Sequence, residues 1–137
     1  MVYNNVVLVT AIIAWFIAQV LKLIINFIRY KTIAFSLMVS SGGMPSSHSA
    51  IVISLATKVG RIEGFDSSYF AIASVLALIV MYDALNVRRQ AGRHAEILNI
   101  LTKDTDNSTK LKELLGHKPI EVFFGALLGV IVGYMVN

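Results

Sequence analysis

The sequence predicts an all-α integral membrane protein, a bundle of about four transmembrane helices with a further helix at the membrane surface. Of its 137 residues, 56% are hydrophobic and only 15% are charged, and the mean hydropathy is +0.72. Average soluble domains contain about 45–50% apolar and about 25% charged residues. The composition therefore argues against a soluble enzyme, a disordered tail and a fibrous repeat. The length suits a single membrane-embedded domain, residues 1–137.

Charge and cysteine content narrow the class further. The chain has 12 Lys and Arg against 8 Asp and Glu, and it has no cysteine. In so apolar a chain we expect the positive charge to set topology or to meet anionic headgroups, and we expect no nucleic-acid partner. The lack of cysteine excludes disulfides, thiolate metal sites and cysteine nucleophiles. The first apolar run lacks a basic leader and a cleavage site, so we expect it to stay as an anchor.

The first half of the chain contains one clear span and one short apolar run. Residues 5–28 carry a single charge, and about 20 apolar residues suffice to cross the hydrocarbon core. Residues 34–47, AFSLMVSSGGMPSS, have the composition of a loop. Residues 49–59 are too few to span the membrane by themselves. They form either a transmembrane helix that is extended by flanking residues or a partly re-entrant helix packed inside the bundle.

The second half predicts two more spans separated by a polar stretch. Residues 67–82 contain no charge and should cross the membrane. Residues 86–101, NVRRQAGRHAEILNIL, interleave basic and apolar side chains, which predicts a helix lying at the membrane surface. Residues 102–110 are hydrophilic and predict an exposed loop, followed by a short helical piece before Gly116. Residues 119–136 form the last predicted span.

The basic residues also predict an orientation. Nine of the twelve lie in segments 29–47 and 86–118. If the chain crosses four times, both segments fall on one side of the membrane. The positive-inside rule makes that side cytoplasmic and leaves both termini outside. This topology depends on residues 49–59 crossing.

The loop at 40–48, SSGGMPSSH, is the first candidate for chemistry. It is explained in part as a turn followed by a helix-capping serine. Glycines, small hydroxyls and a helix N-terminus also form anion sites, here with donors at Ser46 and Ser47. His48, at the same helix start, can give or take a proton near neutral pH.

Two basic residues of the first span share one helix face. Lys22 and Arg29 are seven positions apart, which places them about 10 Å apart on that face. The position of Arg29, taken by itself, is explained by snorkelling of its side chain toward the headgroups. Lys22 lies deeper, beside Gln19 and Asn26, and an ionisable residue within a span is a functional candidate.

A cluster of arginines follows the third span. Arg88, Arg89 and Arg93 suit a positive-inside anchor. An arginine can equally bind a phosphate through two parallel hydrogen bonds, and Asp83 is placed to orient one of them. The sequence leaves both interpretations open.

His117 and Glu121 form the last candidate pair. They are four residues apart, so they face each other on one helical turn. A carboxylate that fixes one imidazole nitrogen leaves the other as a nucleophile or base. The alternative is an ion pair at the membrane edge. His94, in the predicted surface helix, is expected to be exposed.

Three glycines recur every four residues in the last span, at Gly125, Gly129 and Gly133. Such a stripe lets two backbones approach closely. The partner is either another helix of the same bundle or a second copy in a homodimer.

Together these motifs resemble those of the type 2 phosphatidic acid phosphatases (PAP2), relatives of the vanadium-dependent haloperoxidases. That family carries KxxxxxxRP, PSGH and SRxxxxxHxxxD. Lys22 to Arg29 reproduces KxxxxxxR, residues 45–48 reproduce PSxH, and His117 to Glu121 reproduces Hxxx(D/E), in the same order. More closely, SGGMPSSHSA, YDALNVRRQAGRHAEILN and ELLGHKPIEVFFGALLG resemble the small divergent branch known as the DUF212 or YuiD-like family.

The sequence departs from the PAP2 pattern at a few positions. Tyr30 replaces the proline, Ser47 the glycine and Glu121 the aspartate. Leu111 stands six residues before His117, where the family has arginine. Lys110, Lys112 or the Arg88/Arg89 pair are the candidates to supply that charge.

The resemblance implies a role for each candidate residue. His117 would attack phosphorus and form a phosphohistidine, Glu121 would hold its tautomer, and His48 would protonate the leaving alcohol. The phosphate oxygens would be bound by Lys22, Arg29, Ser46, Ser47 and an arginine of the Arg88/Arg89 pair, which Asp83 orients. No cofactor and no metal would be required.

The implied substrate is a lipid phosphomonoester or an isoprenoid (pyro)phosphate, hydrolysed at the cytoplasmic face of a cell membrane. The compact form is typical of a bacterial protein. Two alternatives remain: a non-catalytic lipid-phosphate binding or transport protein, which keeps the anion site without the chemistry, and a purely structural protein assembled through the glycine stripe.

Overall fold

The computed structural model describes residues 5–31, 43–103, 110–113 and 115–136, and within them the chain is entirely helical apart from turns and connecting segments. The helices are α1 (Val6–Tyr30), α2 (Ser47–Glu63), α3 (Ser68–Leu85), α4 (Val87–Leu101) and α5 (Pro119–Met135). This confirms the predicted fold class, a helical bundle of membrane type. Parts of the two predicted loops, at 32–42 and 104–109, lie outside the described residues.

The helices begin where the sequence offers capping groups. The side chain of Asn5 accepts a hydrogen bond from the N–H of Leu8 at 3.1 Å and starts α1. Ser46 and Ser67 occupy the same position before α2 and α3. Pro119 occupies the first turn of α5, where its missing N–H leaves no hydrogen bond unmade.

The outer surface of the bundle is apolar, as a hydrocarbon environment requires. Helix α3 exposes a set of large side chains: Tyr69, Ile72, Val75, Leu76, Leu78, Ile79 and Tyr82. Among the described residues, two helical stretches are long and apolar enough to cross a membrane: α1 and the continuous stretch from α3 into α4 (Ser68–Leu101). Helix α5 is apolar but shorter. Because lipid tails cover such side chains, their exposure costs nothing in a bilayer.

Helix α2 is the central helix and packs against α1, α3 and α5. The residues it buries are mostly small, including Ser49, Ala50, Ser54, Ala56 and Gly60. Small side chains allow neighbouring backbones to approach, which replaces the hydrophobic driving force that is absent between helices in lipid. The short run at 49–59 is therefore the interior of a 17-residue helix packed inside the bundle.

Helices α2 and α5 run parallel, with both N-termini at the same end. A Cβ on Gly125 would lie 2.3 Å from the carbonyl oxygen of Ser46, and one on Gly129 would lie 2.8 Å from that of Ala50. Gly133 meets the side chain of Thr57 in the same way. The stripe is therefore occupied by α2 of the same chain, the first of the two alternatives; a homodimer stays a prediction.

Cations of α2 hold the far end of this helix pair. The Lys58 amine donates to the carbonyl of Val136 at 2.5 Å. The Arg61 guanidinium donates to the carbonyls of Gly133 at 3.2 Å and Tyr134 at 2.5 Å. The last carbonyls of a helix have no partner within it and carry partial negative charge, so two cations satisfy them well.

The contacts at the α2 start make the glycine stripe sensitive to a single methyl group. Replacing Gly125 with alanine is expected to lower the free energy of unfolding by about 1–3 kcal/mol, because the Ser46 backbone must move. Thermal unfolding in detergent, followed by the fluorescence of Trp15, the only tryptophan, measures the loss. The control is Leu127→Ala on the exposed face of α5. An unchanged melting temperature in the Gly125 variant would contradict the close packing.

The segment before α5 differs from its prediction. Residues 110–113 and 115 are not helical, so the short helix expected before Gly116 is wrong. The side chain of Asn99 donates to the carbonyl of Leu111 and accepts from its N–H, both at 2.8 Å. At Gly92 a Cβ would lie 2.6 Å from the Glu113 carbonyl. The backbone groups of Leu111 thus pair with α4 instead of with a helical turn.

Candidate active site

The predicted site residues converge at the end of the bundle where α2 and α5 begin and α3 ends. The N–H of His117 donates to the carbonyl of Ala84, the next-to-last residue of α3, at 3.0 Å. Gly116, with a φ of 82°, packs against the α4 start, where a Cβ would lie 2.4 Å from the Arg89 nitrogen. These contacts fix the backbone of His117 directly before α5.

The His117 imidazole is oriented by a carboxylate. Its Nδ1 lies 3.1 Å from Oε2 of Glu121, and the same oxygen accepts the N–H of Lys118 at 3.0 Å. This contact favours the tautomer with the proton on Nδ1. The side chain is 1% exposed, and its Nε2 is buried without a hydrogen-bond partner among the described residues. The nitrogen left with a lone pair is therefore the one that has no such partner.

His48 lies in the first turn of α2, beside His117. The two ring centroids are 6.4 Å apart and the planes are tilted by 60°. This distance lets both rings contact one small group lying between them. The His48 ring lies within electrostatic range of three charged side chains, Lys22, Asp83 and Arg88.

Lys22 reaches the same region from α1. The residue is 2% exposed, and its amine is buried with no hydrogen-bond partner in the described part of the chain. Gly43 covers its stem, since a Cβ there would lie 3.4 Å from Cγ and Cδ of the lysine. Glu121 lies within electrostatic range. A buried donor without an acceptor costs about 1–3 kcal/mol, so this amine is suited to an anionic ligand.

The arginines do not contribute equally. Arg88 donates through Nε to Oδ2 of Asp83 at 2.5 Å, with the two side chains 44% and 35% exposed. Of the Arg88/Arg89 pair, Arg88 is the one whose charge acts on His48. Arg93 is exposed on α4. The Asp83–Arg88 pair therefore borders the site on its open side.

Arg29 is not brought to the cluster. It lies in the last turn of α1 and is exposed, about two turns beyond Lys22. No contact within the described residues joins it to either histidine. The first motif thus delivers its lysine to the site, whereas its arginine points to the surface expected for a snorkelling side chain.

Ser46, expected as an anion donor, has a partner for its backbone amide within the protein. Its N–H donates to the Glu121 carbonyl at 2.9 Å, and its hydroxyl accepts from the N–H of Ser49 at 3.3 Å. It is fully buried. Its backbone amide therefore joins α2 to α5 and is not available to an anion. Among the described residues the amides of Ser47 and His48 have no backbone acceptor, so they are the donors that remain at this helix N-terminus.

Ala84 was not singled out from the sequence. It contributes only a carbonyl, which any residue type supplies, so no signal marks it. Gly43 belongs to the loop whose glycines the sequence analysis named, and both Gly43 and Gly116 have positive φ angles. In the described ranges no group of three His, Asp or Glu side chains is arranged to hold a metal ion.

The comparisons with known proteins agree with the resemblance seen in the motifs. Residues 3–132 match the model of the divergent PAP2 family, DUF212. The chain is 44% identical to a Bacillus subtilis protein named uncharacterized membrane protein YuiD, over 94% of this chain and 92% of that relative. No solved structure matches.

Proposed function

The chain belongs to the divergent PAP2 family of membrane proteins, and we propose that it is a lipid phosphatase that works through a phosphohistidine at His117. The observation that carries the proposal is the His117 side chain. It is buried, held at Nδ1 by Glu121, and left with an unpaired Nε2. The His48 ring lies 6.4 Å away, and the buried Lys22 amine is within electrostatic range of His48. A fixed tautomer beside an acid and a cation is the arrangement that nucleophilic catalysis at phosphorus needs.

The first step transfers the phosphoryl group to the enzyme. Nε2 of His117 attacks phosphorus, the bond from phosphorus to the ester oxygen breaks, and His48 donates a proton to the departing alkoxide. Lys22, Arg88 and the amides of Ser47 and His48 stabilise the three equatorial oxygens. Glu121 stabilises the positive charge that develops on the His117 ring.

The second step regenerates the enzyme. His48, now neutral, takes a proton from water, whose oxygen attacks phosphorus while the bond from phosphorus to Nε2 breaks. Inorganic phosphate leaves and His117 returns to its starting form. The positive charges that stabilise the phosphate oxygens in this scheme come from side chains of the protein, so neither a cofactor nor a metal takes part.

The substrate we propose is a phosphomonoester or pyrophosphate of a phospholipid or isoprenoid. The site lies at one end of an apolar bundle, so a headgroup can enter it while the chains stay in the bilayer. We propose that this end faces the cytoplasm, because most of the basic residues belong to segments at the same end. That side suits a step of phospholipid synthesis, such as dephosphorylation of phosphatidylglycerol phosphate.

Phosphate release from a panel of lipids tests the activity. Detergent-purified protein is incubated with phosphatidic acid, phosphatidylglycerol phosphate and an isoprenoid pyrophosphate, with and without vanadate. We expect release from at least one lipid, inhibition by vanadate, and a loss of about 100-fold or more in His48→Ala, which removes the general acid. Release from none of them, with the lipids still bound, would replace this proposal by the binding or transport alternative.

A further inference from the structure

An apolar cleft lies between α3 and α5, on the side of the bundle that faces lipid. Both helices pack closely on α2 and much less on each other, so α2 forms the floor. The cleft has a volume of 420 Å³. Its walls include Ile53 of α2, Ser74, Ala77 and Met81 of α3, and Val130 of α5.

The upper end of the cleft lies close to the candidate active site. Met81, in the cleft wall, lies three residues before Ala84, and the carbonyl of Ala84 accepts the hydrogen bond from the N–H of His117. Ile53 follows His48 by five residues, a distance of about 7.5 Å along α2. A molecule with its phosphate between the two histidines would therefore have the cleft within reach of its next few atoms.

The lower end is closed by aromatic rings held in place. Phe65 and Phe70 pack edge to face at 5.1 Å, and Gly60 leaves room for them, since a Cβ there would lie 2.5 Å from the Phe65 ring. Tyr134 borders the same end, with the Arg61 guanidinium 5.2 Å from its ring centroid. These contacts give the cleft a fixed lower end instead of an open exit.

The dimensions identify the kind of occupant. The cleft wall from Phe70 to Met81 spans about 16 Å, roughly half the 30 Å hydrocarbon core and thus the depth of one leaflet. The volume of the cleft is 420 Å³. A helix about 10 Å across and of that length would need roughly 1,200 Å³. The space fits a single hydrocarbon chain and excludes a helix of another protein.

We infer that this cleft holds one hydrocarbon chain of the lipid phosphate and that the Phe65–Phe70 end limits the length of that chain. The inference rests on the proposed function, because it takes the phosphate position from it. The cleft would then select substrates by chain length, while the site at the histidines recognises only the phosphate.

Alkyl monophosphates isolate the contribution of the chain. Phosphate release is measured in mixed micelles with dodecyl and hexadecyl phosphate, and with phenyl phosphate as a substrate that cannot fill the cleft. Ser74→Leu fills the cleft and should lower kcat/KM about tenfold for hexadecyl phosphate while changing it less than twofold for phenyl phosphate. Phe70→Ala opens the closed end and should shift the preference toward the longer chain. Ala71→Leu, on the exposed face of α3, is the matched control.

A second measurement does not depend on turnover. Hexadecyl phosphate with a photoactivatable diazirine at mid-chain is crosslinked to the wild-type protein, and the labelled positions are found by mass spectrometry. Labelling concentrated on cleft residues such as Ala77 and Val130 supports the inference even if no phosphate is released, in which case only the proposed activity fails. Labelling spread over the outward face at Leu76 and Ile79, or an unchanged chain preference in both variants, overturns it.

Discussion

His117→Ala is expected to reduce phosphate release from a lipid phosphomonoester by about 1,000-fold or more. The variant removes the nitrogen that attacks phosphorus, and loss of a nucleophile is among the largest single effects in enzymes that form a covalent intermediate. The side chain is 1% exposed and contacts Glu121, so alanine at this position leaves a cavity beside the carboxylate. Initial rates at saturating lipid in detergent micelles measure the loss.

His94→Ala is the matched control, because His94 is exposed on α4 and makes none of the contacts described at the site. Its release rate should equal that of the wild type. Acid-quenched, radiolabelled substrate should also trap a phosphorylated protein in the wild type and none in the His117 variant. Release that persists in His117→Ala would show that another group attacks phosphorus, and the assignment of the nucleophile would be abandoned.

Lys22→Met is expected to stabilise the protein and inactivate it at the same time. The amine is buried without a hydrogen-bond partner in the described residues, so its removal should raise the free energy of unfolding by about 1–3 kcal/mol. The melting temperature should rise by about 5 °C. Because the amine is proposed to stabilise the phosphate oxygens, release should fall by about 100-fold to 1,000-fold.

Lys58→Met is expected to give the opposite changes in stability and activity, although Lys58 is buried like Lys22. Its amine donates to the carbonyl of Val136 at the far end of the bundle, so its loss should lower the melting temperature and leave the release rate of folded protein unchanged. Thermal unfolding and phosphate release are measured on both variants side by side. A Lys22 variant that is less stable than the wild type would mean that the amine has a structural partner, and its proposed role in binding phosphate would be withdrawn.

The sequence by itself determined the class of structure and most of the candidate residues. Apolar runs of sufficient length predict helices independently of their neighbours, because each helix satisfies its own backbone hydrogen bonds in lipid. α1, α3 and α5 therefore lie close to their predicted bounds. The His117–Glu121 contact was also predictable, since residues four apart on a helical turn are neighbours whatever the tertiary fold.

Contacts between distant parts of the chain were decided only by the tertiary structure. The glycine stripe of α5 indicates a close helix contact, but nothing in its spacing tells α2 of the same chain from a second copy. The segment before Gly116 has apolar residues at helical spacing, yet the backbone N–H and carbonyl of Leu111 bind the side chain of Asn99. A competing partner far away in sequence leaves no trace in the local pattern.

The same distinction applies within the site. Sequence motifs proposed both Lys22 and Arg29, and both Ser46 and Ser47, without indicating which of them face the histidines. The packing of α1 on α2 buries the lysine and leaves the arginine exposed. Because α2 and α5 pack in parallel, the Ser46 amide donates its hydrogen bond to the Glu121 carbonyl. Residue types and spacings thus determine which chemistry the chain can carry. The approach of the helices determines which of those groups are desolvated and left unpaired, and this gives an anion site its affinity.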